Sequence, residues 1–123
     1  MEVQEMNIKN VLASVPVKDL ASSVDWYTRV LGRPADSTPM PEVAEWRFPG
    51  GGWLQVYAGP DRAGGGSCTL AVDDMDRTLK DLQALGIDTG DQGAGDKTRT
   101  VMVKDPDGNS LAFAYAQDPS MAG

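Results

Sequence analysis

The sequence predicts an α+β fold made of two tandem copies of one unit, a strand, a helix and then about three strands (βαβββ). Three observations carry this expectation. The hydrophobic period switches between about two and about 3.6 residues in the same order in each half of the chain. Val15, Val17, Asp19 and Val24 fall at one constant offset from Leu70, Val72, Asp74 and Leu79; Pro49, Gly51 and Leu54 fall at a slightly longer offset from Pro106, Gly108 and Leu111, as small loop insertions produce. The chain has 123 residues, 41% of them hydrophobic, which suits one domain around one core, whereas neither half buries enough surface to stand alone.

In order, VLASVPV places Val11, Ala13, Val15 and Val17 at period two, the pattern of a strand with one face on a core. Asp19 then offers an N-cap, and Leu20, Val24, Tyr27 and Leu31 form a helical stripe that Gly32 and Pro34 stop. After the proline-punctuated RPADSTPMPE, the runs VAEWRF and WLQVYA flank Pro49 to Gly52 and read as a hairpin. Residues 59–66 have the composition of a flexible connector. They divide a first module, residues 10–58, from a second, residues 67–116, within a single domain spanning 1–123. In the second module CTLAV is a strand, Asp74 an N-cap, and Met75, Leu79, Leu82 and Leu85 an apolar stripe closed by Gly86. GIDTGDQGAGDKT is loop and edge-strand material, TVMVK a strand, DPDGN a turn and SLAFAYA the last strand. The tail QDPSMAG is expected to fray.

Composition narrows the chemistry. Eleven Lys and Arg against eighteen Asp and Glu give a formal charge of −7, which leaves no electrostatic footprint for a phosphate backbone, so nucleic acid is not an expected partner. The chain has no histidine, which removes Ser-His-Asp and Cys-His nucleophile systems and the commonest ligand of zinc, iron, nickel and copper. A single cysteine, Cys68, allows no intramolecular disulfide and reads as a small buried hydrophobe in a reducing compartment. No stretch has the pattern of a leader peptide or the length of a membrane span, so a cytoplasmic location without membrane association is expected.

The segments VPVKDLASSVDWYTRVLG, LAVDDMDRTLKDLQALGI and DPDGNSLAF, in that order and over about Asn10 to Tyr115, resemble the vicinal oxygen chelate superfamily of glyoxalase I, the bleomycin resistance proteins and the extradiol dioxygenases. The resemblance implies the glyoxalase/bleomycin resistance fold, in which paired βαβββ modules form a cupped mixed sheet around the site, and it implies a homodimer. It further implies four metal-ligand positions in the metalloenzyme members, two in each module, filled there by His, Glu or Gln. On this chain those positions are Leu12, Gln55, Ser67 and Ala112. Only Gln55 offers an ordinary donor, and one neutral amide cannot hold a divalent cation that needs three or four ligands. No metal and no cofactor are therefore expected.

Because alternate strand residues face opposite ways, these positions also set which residues line the cup. They are Leu12, Ser14 and Pro16; Trp53, Gln55 and Tyr57; Ser67, Thr69 and Ala71; and Ala112 and Ala114. Pairing Pro49 with Pro106 turns Trp46 to the helix side and Glu45 and Arg47 inward, with Thr100 and Met102 on the opposite wall. Apolar walls bearing a few polar groups suit a small molecule. Trp53 can stack on a planar or aromatic ligand, Tyr57 adds a hydroxyl, and Gln55 supplies one donor and one acceptor.

Other motifs carry no chemistry. GAGDKT lacks the Gly-Lys step of a phosphate loop; Asp73, Asp74 and Asp76 sit where a helix dipole favours carboxylates; and Asp105, Asp107 and Asn109 lack the rest of a calcium loop. The expected function is metal-independent binding of a small organic molecule, an antibiotic or a metabolite, with no catalytic residue. The alternative is a cofactor-independent isomerase or lyase that moves a proton with Glu45, Tyr57 or another inward group. A third is an interaction module whose dimer surface matters and whose cup is filled, and a metal-dependent glyoxalase or dioxygenase is expected less than the binder or the isomerase.

Overall fold

The computed structural model describes residues 6–117. The element order is β1(Leu12–Val17), α1(Leu20–Leu31), β2(Ser37–Met40), β3(Val43–Arg47), β4(Trp53–Ala58), then β5(Ser67–Ala71), α2(Met75–Ala84), β6(Gln92–Ala94), β7(Thr98–Lys104) and β8(Ser110–Ala116). Two four-stranded sheets result, ordered β1-β4-β3-β2 and β5-β8-β7-β6. In each, the first strand runs parallel to the last and the remaining pairs are antiparallel. The tandem βαβββ architecture expected from the repeat is the one observed.

The apolar alternation reaches the core as its period requires. Val15, Val17, Leu54, Val56, Val101, Val103, Leu111 and Phe113 are buried and join Tyr27, Trp46, Met75 and Leu82 in one cluster that draws on both modules. Trp46 is fully buried beside Tyr27, ring centroids 6.1 Å apart, and its indole N–H donates to the Arg33 carbonyl at 2.9 Å. That bond removes the cost of burying the indole nitrogen.

Several local expectations need correction. Val11 lies ahead of the first sheet pair, Leu12 with Trp53, and is 78% exposed instead of facing the core. Leu85 occupies the C-cap of α2, where the chain leaves the helix, so it drops off the apolar stripe and is 41% exposed. Asp19 occupies the N-cap of α1, yet its carboxylate accepts from the Ser22 hydroxyl at 3.0 Å and not from a helix N–H; Asp74 does cap α2, accepting from the Arg77 N–H at 3.0 Å. The proline-rich segment contains a real edge strand, β2, whose register shifts between Ser37 and Met40, consistent with Pro39 lacking a donor. β7 starts at Thr98, ahead of the expected run TVMVK. From residue 118 the tail lies outside the described residues.

The connector is ordered. Arg62 N–H donates to the Gly59 carbonyl and Gly65 N–H to the Arg62 carbonyl, two successive turns. A Cβ at Gly66 would lie 2.6 Å from Pro16 Cδ and 3.0 Å from Asn109 Oδ1, and one at Gly64, where φ is +90°, 2.6 Å from the Asp107 carbonyl. These glycines answer to close packing, not to flexibility.

The DPDGN turn closes the seam between the modules, where the edge strands β1 and β5 meet. Asp105 is 4% exposed, and its Oδ1 accepts from the N–H groups of Asp107 and Asn109, each at 2.9 Å. Its Oδ2 accepts from the Tyr27 hydroxyl and from Asn109 Nδ2, each at 2.8 Å. Asn109 also donates to the Pro16 carbonyl at 2.7 Å and accepts from Gly66 N–H at 2.8 Å. Through its two buried residues, Asp105 and Asn109, this turn ties α1, β1 and the connector to the second sheet.

Candidate functional site

The face of each sheet away from the helices carries the residues that the sequence places in the cup. On the first sheet, cross-strand registry arranges them in three rows. The outermost row is Leu12, Trp53 and Arg47; the middle row Ser14, Gln55, Glu45 and Ser37; and the innermost Pro16, Tyr57 and Val43. Glu45 and Arg47 do share this face, and Trp46 points to the core.

The middle row is a continuous hydrogen-bonded chain across all four strands. The Ser14 hydroxyl donates to Gln55 Oε1 at 3.0 Å, Gln55 Nε2 donates to Glu45 Oε2, and the Ser37 hydroxyl donates to Glu45 Oε1 at 3.2 Å. The amide and the carboxylate are therefore already committed to neighbours. Gln55 and Glu45 are half-buried, and Ser14 and Ser37 are exposed.

In the outer row the Arg47 guanidinium lies 6.0 Å from the Trp53 ring centroid, the outer reach of a cation–π contact worth about 0.5 kcal/mol at an exposed site. Its backbone is clamped: Asp36 Oδ2 accepts from Arg47 N–H at 2.6 Å and from Arg33 Nη1 at 2.7 Å, while Arg33 Nη2 donates to the Arg47 carbonyl. The hydrogen bond from Arg47 N–H, with help from Arg33, holds the Asp36 carboxyl below its ordinary range.

The inner row opens into a depression of about 570 Å³, walled by Ser14, Pro16 and Tyr57 on the sheet side and by Asp61, Arg62 and Gly66 of the connector. Asp61 and Arg62, and likewise Ser37 and Val43, are additions to the residues expected from sequence. A loop's composition does not say which way it folds back, whereas Ser37 follows from its registry with Glu45 once β2 is known to be a strand.

The second sheet presents smaller groups. Its rows are Ser67, Ser110 and Lys104; Thr69, Ala112 and Met102; and Ala71, Ala114 and Thr100. Lys104 Nζ donates to the Ser110 hydroxyl at 2.7 Å, and Met102 is 37% exposed. The sequence-predicted residues thus fall on two separate sheets: Leu12, Ser14, Glu45, Arg47, Trp53, Gln55 and Tyr57 on one, Ser67, Thr69, Thr100, Met102 and Ala112 on the other.

The donor set does not fit a divalent metal. Leu12 and Ala112 have no donor atom, Ser67 offers a neutral hydroxyl, and both ends of the Gln55 amide are hydrogen-bonded to neighbours. Among the described residues no three His, Cys, Asp or Glu side chains stand close enough to share an ion. No helix among them is long and apolar enough to cross a membrane.

Comparison with known proteins places this arrangement. A family model described as Glyoxalase/Bleomycin resistance protein/Dioxygenase superfamily matches residues 8–113. A glyoxalase/bleomycin resistance protein from Catenulispora acidiphila DSM 44928 superposes with a TM-score of 0.78 at 30% identity, covering 87% of this chain and 97% of that one. TnmS3, an antibiotic binding protein from Streptomyces sp. CB03234, superposes with a TM-score of 0.75 at 25% identity, covering 91% and 99%. A lactoylglutathione lyase from Agrobacterium tumefaciens shares the fold, with a TM-score of 0.72 at 16% identity over 90% and 95%. No curated protein matches the chain.

Proposed function

The chain belongs to the glyoxalase/bleomycin resistance protein/dioxygenase superfamily, and from that premise we propose that it binds a small organic molecule on its open sheet faces without a metal. The observation that carries this reading is the state of Gln55. Of the four positions that hold metal in enzymes of this fold it alone bears an amide, and that amide is tied into the Ser14–Gln55–Glu45–Ser37 chain. What the sheet then offers a ligand is an indole, a phenol, a guanidinium and a hydrogen-bonded polar strip, the makeup of a binding surface. The likeness to TnmS3 supports an antibiotic or a metabolite of similar build as the cargo, held and not transformed. Two copies of the chain form a homodimer in this reading, acting in the cytoplasm.

Glu45 favours a second reading. It is the one carboxylate in the chain of the middle row, placed where it could move a proton on a bound molecule in a cofactor-independent isomerisation or elimination.

Native mass spectrometry of the freshly purified protein tests the first reading. The expected species is a dimer that retains an organic mass and no stoichiometric metal, unchanged by a chelator. A stoichiometric divalent ion that disappears in Gln55→Ala would overturn it. Chemical conversion of the retained compound, lost in Glu45→Gln, would replace it with the second.

A further inference from the structure

Among the described residues Arg33, Arg77 and Arg99 form salt bridges with carboxylates, whereas Arg29, Arg47 and Arg62 do not, and of these three only Arg47 stands over an aromatic ring. Two carboxylates beside it in the fold are already hydrogen-bonded. Asp36 Oδ2 serves the Arg47 N–H and Arg33 Nη1, and both oxygens of Glu45 serve Gln55 and Ser37. The backbone of Arg47 is held at both its N–H and its carbonyl, so its side chain leaves β3 from a fixed point. That side chain is exposed, forms no salt bridge among the described residues, and stands 6.0 Å from the half-buried Trp53 ring, with the Asp36 carboxylate close enough to feel its charge. The guanidinium and the half-buried indole thus stand side by side on the sheet face away from the helices.

A guanidinium is a planar fork that takes a carboxylate through two parallel N–H···O bonds, and an indole face takes a planar ring by offset stacking. Separated by one cross-strand spacing, the two groups can be satisfied together by one rigid molecule with a ring and an oxyanion at its edge. Resting on the reading of this face as a binding surface, we propose that Arg47 and Trp53 together select a planar aromatic acid, with the ring on Trp53 and the carboxylate on Arg47. The Ser14–Gln55–Glu45 strip beside them supports the choice: Glu45 repels an acid placed one row inward, which fixes the ligand's orientation along the outer row.

Isothermal titration of the full-length protein with 2-naphthoate and with its neutral isostere 2-naphthamide tests this. The acid is expected to bind about tenfold more tightly than the amide, with the preference shrinking as salt is raised. Arg47→Gln should bring the two to equal affinity, the acid losing far more than the amide. Arg47→Lys, a point charge without the fork, should restore only part of the preference. The exposed side chain leaves the fold intact, and an unchanged thermal midpoint verifies this in each variant. If wild type binds acid and amide equally, or Arg47→Gln keeps the preference, the anion-selective role is overturned while the binding surface stands. If neither compound binds, both the role and the aromatic binding surface fail.

Discussion

Cys68 sits on β5 between Ser67 and Thr69, with its thiol turned to the core side and partly buried against it. Burial first, and the nearby Asp105 charge second, push the thiol from its ordinary 9.0 up to about 11. A folded pKa above the unfolded one favours the neutral form, so this contribution to stability is whole below pH 9 and is lost as the pH rises towards about 11. The urea midpoint is therefore expected to fall across that window, and Cys68→Ala should remove the part of the fall that begins near pH 9. The part due to Tyr27, whose hydroxyl is raised by burial and by its bond to Asp105, begins only near the ordinary 10.0 and should persist. An identical decline in Cys68→Ala and wild type would contradict this assignment. The expectation that Cys68 behaves as a small hydrophobe was legible from its being the single cysteine of the sequence. The neighbour that raises its pKa was not, because Asp105 is far away in the chain and next to it only in the fold.

At the scale of elements, two glycines in loops of similar composition are predicted to differ. Gly66 precedes β5 where Pro16 and Asn109 leave no room for a Cβ, so Gly66→Ala should cost about 1–3 kcal/mol in urea unfolding. Gly50, in the β3–β4 turn, has open space around its Cβ position and an ordinary φ, so Gly50→Ala should stay within about 0.5 kcal/mol of wild type. Equal effects at the two sites would show that the connector is the loose linker its composition suggests. Strands and helices were read correctly where a period ran for five residues or more, as in β4, α1 and β8. The misses lie at ends and edges. Val11 and Leu85 continue their patterns in sequence, but the partner strand or the helix has already stopped beneath them.

For the molecule as a whole, the seam built on Asp105 and Asn109 implies that the modules do not unfold separately. Asn109 is fully buried and bonds to Pro16, Gly66 and Asp105 at once. Asn109→Ala strands the Pro16 carbonyl and the Gly66 N–H and is expected to cost about 3 kcal/mol. Even so, unfolding followed by tryptophan fluorescence, which reports the first module through Trp46, and by circular dichroism, which reports both, should remain one coincident transition. Two separated transitions in the wild type would mean that the seam does not couple the modules.

The residues at the four ligand positions were identified through the family resemblance; the duplication, most of the order of elements and the face each strand turns to the core were legible in the sequence alone. These depend on period and spacing, which are local properties of a polymer with fixed backbone geometry. Only the tertiary structure decided which of those residues are already engaged. That Gln55 is held by Ser14 and Glu45, that Arg47 forms no salt bridge among the described residues, and that DPDGN clamps the modules through the buried Asp105 and Asn109 are outcomes of cross-strand registry and of the meeting of β1 with β5. A hydrogen bond needs its partners within about 3 Å, a condition that spacing along the chain cannot express for residues brought together from distant strands.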